Sequence, residues 1–228
     1  MVDVSLQHNS ELAHHVRQGV AWLSASAKGE NTAALSYAAF ELRLAVERLA
    51  VHYWAGLLDR KPEGRDLRDI ASFKRVEQRI YELAGHQREI DGQFEFMRIV
   101  LGAMRIDLPL LTPGIGDLSR YWHLCSEYCH VAWPLSCSEP ELRRIAFSIL
   151  SDVSQSLSAQ VDSLGWPVLR DAAFADLRSR FIAGEATASD VLAHVKRTGI
   201  WARAEFTDGR PSHFVGEAVP PSASEEGT

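Results

Sequence analysis

Residues 33–49 read Ala-Ala-Leu-Ser-Tyr-Ala-Ala-Phe-Glu-Leu-Arg-Leu-Ala-Val-Glu-Arg-Leu, and this stretch decides the fold class. Alanine and leucine lose little side-chain freedom in a helix, and no glycine interrupts the run before Gly56. With Asn31 or Thr32 as the opening residue, the pattern predicts one long helix over residues 33–58. Upstream, Leu12, Val16, Val20 and Leu23 recur at helical spacing between a capping Ser10 and a terminating Gly29, which predicts a helix over residues 11–27.

The pattern continues downstream. A charged linker holding Pro62 and Gly64 separates a third helix over 66–84, and a fourth spans 90–104. Residues 108–116, Leu-Pro-Leu-Leu-Thr-Pro-Gly-Ile-Gly, form a loop because proline and glycine defeat regular structure there. A fifth helix over 117–133 stops at Pro134. Ser138-Glu-Pro-Glu141 supplies a cap, an early proline and acids for the positive helix end, opening a sixth helix that reaches Leu164 before Gly165.

Beyond Trp166-Pro167 come two short helices, 171–182 and 190–197. Residues 200–206 and 211–215 then make a small hairpin or extended arm. The expected architecture is all-α: an up-and-down four-helix-bundle core over 10–165 and a compact extension over 166–217. A disordered tail over 218–228, rich in Pro, Ser, Ala and Glu, follows.

Composition bounds the function. The 228 residues are 46% hydrophobic and 24% charged, so a collagen-like, low-complexity or disordered chain is excluded. A net charge of −6 argues against a strongly basic coat for duplex nucleic acid. The start of the chain lacks the basic-then-apolar pattern of a secretory signal, and no run approaches the roughly 18 apolar residues of a membrane span. Three clustered cysteines, Cys125, Cys129 and Cys137, do not make a disulfide framework, and a reducing cytoplasm is the expected location.

The hairpin of residues 12–27, the turn Lys28-Gly-Glu-Asn-Thr32 and residues 33–49 resembles the first helical pair of HEPN-type domains, in which a small-residue-rich second helix packs on the first. The likeness extends to about Gly165. It implies a four-helix core, homodimerisation and, in many members, metal-independent RNA cleavage; other members are catalytically silent partners or binding modules. Active members carry an Arg, four to six residues, then a His, with a polar residue directly after the Arg. Here Arg79-Ile-Tyr-Glu-Leu-Ala-Gly-His86 meets the spacing, with Ile80 at the polar position.

Two ionisable stripes are candidate sites. At about 100° per residue, Arg120, His123, Glu127 and His130 share one narrow face of the fifth helix, whose other positions are bulky and apolar. The functional reading is catalytic: two histidines for acid–base work at a ribose 2′-hydroxyl, Arg120 on the phosphate, and Glu127 orienting an imidazole. The structural reading is a satisfied network in which Glu127 bonds both histidines. On the third helix, Arg65, Arg68, Arg75, Arg79 and His86 align. Arg68, Arg75, Arg79 and His86 would contact RNA phosphates, or the stripe is a solvated face blunted by Asp69, Glu77 and Glu82. Glu41, Arg48 and His52, with the Arg43–Glu47 pair, are explained by ion pairing between helices.

No metal or other cofactor is expected. Cys125 and Cys129 project away from the His123 face, and neither Cys-x2-Cys nor His-Glu-x-x-His spacing occurs. A phosphate-binding glycine loop and a Gly-x-Ser-x-Gly elbow are also missing. Trp166, Phe174, Phe181, Trp201, Phe206 and Phe214 would form the extension's small core, or a patch for a protein partner. The sequence thus sets a metal-independent endoribonuclease of a toxin or defence system against a silent helical scaffold that dimerises and docks on a partner; neither involves a membrane.

Overall fold

The structure, a computed structural model, describes residues 4–58, 63–70, 73–112, 114–129, 139–163, 165–169, 171–207 and 210–219. It is mostly helical, as expected. In chain order the helices are α1 (Val4–Ala25), α2 (Thr32–Leu57), α3 (Gly64–Ile70), α4 (Phe73–Ala84), α5 (Gln87–Ala103), α6 (Ile115–Cys129), α7 (Pro140–Val161), α8 (Ala172–Ala183) and α9 (Ala188–Arg197). The strands are β1 (Val168–Leu169), β2 (Gly199–Thr207) and β3 (Arg210–Val219).

Two compact units divide the chain: Met1–Gln87 with Gly114–Val161, and Arg88–Pro113 with Asp162–Thr228. In the first, α2 packs against α1, α4, α6 and α7. Asn31 caps α2 by accepting the Ala34 N–H at 3.2 Å, and the side-chain-poor Ala34, Ala38 and Ala45 are buried beside Leu35, Leu42 and Val46. The connection from α1 requires left-handed backbone at Lys28 and Gly29 (φ 58° and 99°). A β-carbon on Gly29 would stand 2.6 Å from the Arg143 carbonyl oxygen, so glycine is needed for approach as well as for φ.

The second unit is built differently from a cut at Gly165. Its core joins Phe96, Met97, Val100 and Leu101 of α5 to Phe174 and Leu177 of α8, Val191 of α9 and Phe214 of β3. The helix expected as fourth member of the bundle thus buries its apolar side among the C-terminal elements. Asp171 caps α8 by accepting the N–H groups of Ala173 and Phe174, and Gly184 ends that helix at φ 81°. Thr187 and Asp190 form a reciprocal capping box at α9, whose hydrogen bonds hold the Asp190 carboxyl below its ordinary range. The expected hairpin is real: β2 and β3 pair antiparallel, and β1 adds parallel to β3 in the order β1-β3-β2. Strand β3 includes Ala218 and Val219, two positions expected to be disordered.

Other boundaries shift modestly. The third helix is described as α3 and α4, with residues 71 and 72 outside the described residues. Helix α6 is followed to Cys129; residues 130–138, with His130 and Cys137, lie outside the described residues. Helix α7 ends at Val161, short of Leu164, and the nearby Ser163 hydroxyl donates to the Pro109 carbonyl and accepts the Leu111 N–H.

Candidate functional site

Helix α6 has two faces of opposite character. Ile115, Leu118, Trp122 and Cys125 are buried on one side. On the other, Arg120, His123 and Glu127 are exposed, sharing a face as their spacing predicts. Arg120 is 62% exposed, pairs with Asp117 at 3.0 Å and lies 5.0 Å over the Tyr121 ring. His123 Nε2 shares a hydrogen bond with the hydroxyl of Tyr81, an exposed residue of α4. Either the phenol donates to a neutral Nε2, which leaves the ring proton on Nδ1, or it accepts from Nε2–H. Among the described residues no side chain hydrogen-bonds to Glu127. The His123 half of the network in which Glu127 would bond both histidines is therefore not formed, and its His130 half lies outside the described residues; His123 is held from α4 instead.

The second stripe is dispersed. Arg65 and Arg68 are exposed on α3, and His86 is exposed just beyond α4. Arg79, the arginine of the motif-like spacing, pairs with Glu82 and lays its guanidinium 5.4 Å over the Trp54 ring. The side chain of Arg75 lies outside the described residues. Helices α4 and α6 pack together, and their described side-chain link is the Tyr81–His123 bond, made by a residue outside the arginine stripe. Tyr81 escaped the sequence reading because a partner 42 positions away leaves no local signal.

Behind Trp122 lies a polar cluster. Arg43, with its side chain 8% exposed, donates through Nε to Glu47 Oε1 at 3.0 Å. The Trp122 indole N–H donates to the same oxygen at 3.0 Å, and the guanidinium stands 4.9 Å over that indole. Arg43 also reaches Cys129 Sγ at 3.7 Å. A buried cation is tolerable because its carboxylate, ring face and sulfur replace water together. The signal was present in sequence: Arg43 sits in phase with Ala39, Leu42 and Val46, on the helix's inward side.

Nearby groups feel the burial. It pushes the Cys125 thiol far above its ordinary range, with Cys129 adding to the shift and Arg43 opposing it. The Tyr128 hydroxyl is raised by burial and then by the charge of Glu127. Glu41 hydrogen-bonds His15 of α1 at 2.7 Å, a polar link between the two helices. Among the described residues no group of three or more His, Cys, Asp or Glu could hold a metal ion. No helix among them is long and apolar enough to cross a membrane.

In the second unit a groove of about 470 Å³ is lined by Phe181 and Ile182 together with Arg88, Asp91, Glu95 and Arg98. Arg98 is committed to Glu95 at 2.9 Å. Comparison with family models, with curated proteins and with solved structures finds no match to this chain.

Proposed function

We propose that the exposed face shared by α4 and α6 is an RNA site and that the protein is a HEPN-like, metal-independent endoribonuclease acting in the cytoplasm. One observation carries the reading: His123 is open to solvent yet held in place by the Tyr81 hydroxyl, with Arg120 one helical turn away. An imidazole hydrogen-bonded at one nitrogen keeps its ring orientation, and a solvent-facing one can reach a phosphodiester. One histidine takes the proton of a ribose 2′-hydroxyl as that oxygen attacks the adjacent phosphorus. The other protonates the departing 5′-oxygen, leaving a 2′,3′-cyclic phosphate and a free 5′-hydroxyl. His123 and His130 share these two roles, Arg120 holds the phosphate oxygens, Tyr81 orients His123, Glu127 is assigned to His130, and Arg68, Arg75, Arg79 and His86 steer the strand. A toxin or defence setting, with a homodimer supplying two such faces, suits this chemistry.

The test is cleavage of mixed RNA by the purified chain in excess EDTA, beside folded His123→Ala, His130→Ala and Arg120→Ala variants. Cyclic phosphate ends that disappear in all three support the reading. Absence of both cleavage and RNA binding in the wild type removes it.

A second reading is a silent helical module for a protein partner. It is favoured by Trp22 and Tyr37, which are exposed on α1 and α2 with ring centroids 4.9 Å apart, beside an exposed Phe40 on α2. Retention of a partner by the wild type, lost on Trp22→Ser with Tyr37→Ser, would favour it.

A further inference from the structure

Strand β2 lies at the edge of its sheet, with β3 on one side and, among the described residues, no strand on the other. It runs nine residues, Gly-Ile-Trp-Ala-Arg-Ala-Glu-Phe-Thr, and contains no proline. An edge of that length presents a row of backbone donors and acceptors able to template another strand. Short edges, prolines and bulges normally blunt this tendency. Here the register irregularity between Glu205 and Phe206 falls where β3 carries the extra residue, since Glu205 pairs with His213 and Phe206 with Pro211, so β2 keeps its regular alternation.

We propose that the edge of β2 away from β3 is a self-association surface whose partner is a second copy of this chain, the two β2 strands pairing antiparallel about a two-fold axis at Ala204. The register follows from charge. Residues 201, 203 and 205 share one face of the strand, and residues 200, 202 and 204 share the other, where Ile200 packs on the core. An axis at Ala204 sets Arg203 of each copy directly across from Glu205 of the other, giving two opposite-charge pairs related by symmetry. An axis at Arg203 sets arginine against arginine, and one at Glu205 sets glutamate against glutamate. An axis midway between two residues would set positions on the face of Ile200 against positions on the other face. Only the Ala204 register satisfies both charge and face. The inference rests on the backbone and sequence of the C-terminal hairpin and is independent of the RNA reading.

Sedimentation of the full chain at low salt tests it. The wild type is expected to dimerise. Arg203→Glu or Glu205→Arg alone should weaken association roughly tenfold, and the doubly reversed chain should recover it. With the three native cysteines changed to alanine, Ala204→Cys should crosslink into a covalent dimer under mild oxidation. Residues directly opposite sit about 4.5–5.5 Å apart, within disulfide reach. Ala202→Cys, displaced from the axis, should not crosslink. A monomeric wild type, a dimer indifferent to the reversals, or equal crosslinking at 202 and 204 would each overturn the proposal.

Discussion

On one side of α6, Trp122 and Cys125 are buried, and the Trp122 indole meets a carboxylate that also holds the buried Arg43. On the opposite side, Arg120, His123 and Glu127 stand in water; Arg120 pairs with Asp117 one turn away, and His123 bonds to Tyr81 of α4. The same helix therefore carries polar groups in two regimes. In the buried one every partner is needed, because water cannot replace a lost bond. In the exposed one the groups contribute little to stability and are available for chemistry.

The sharpest way to break this contrast is Arg43→Ala. It removes the cation beside the part-buried Glu47 and should cost about 3 kcal/mol in a denaturant titration. A cost near zero would mean that the cluster is effectively solvated. Trp122→Phe keeps the packing but removes the indole N–H from Glu47, with an expected loss of about 1–2 kcal/mol by the same titration.

Alkaline pH probes the buried side without a substitution. The folded-state value of Cys125 lies above its unfolded value, so its contribution is fully present below the ordinary thiol range and is lost as pH rises toward the folded value. Urea midpoints measured across the alkaline range should fall less steeply in Cys125→Ala than in the wild type. Tyr53, whose hydroxyl is also raised by burial, should account for part of the remaining slope.

The smallest stability effects belong to the exposed side. Tyr81→Phe and Arg120→Ala should each change unfolding free energy by no more than about 0.5 kcal/mol. If the RNA reading holds, both should lower cleavage despite that, which separates site from scaffold.

Much of this was legible in the sequence where the signal is local. The Asn31 cap, the α2 run, the Asp171 and Thr187 caps and the common face of Arg120, His123 and Glu127 all depend on residues within one or two turns. The allegiance of α5 was not, because periodicity says that a helix buries one side but not what covers it. Nor was the setting of the α6 stripe: an apolar majority suggested a central helix with costly polar groups, whereas that face opens to solvent. Arg43 and Glu47 look like an ordinary surface pair until the phase of Arg43 is set against its buried neighbours.

The chain leaves the first unit after Gln87, returns at Gly114 and leaves again after Val161. During synthesis α5 therefore emerges well before the segment that covers it, and Phe96, Met97, Val100 and Leu101 must wait for Phe174, Leu177, Val191 and Phe214. That interval is when a holding chaperone would find most to bind. It also means that a fragment ended near Gly165 would keep α5 in its middle with an apolar side left uncovered, prone to aggregate for want of the last sixty residues or so.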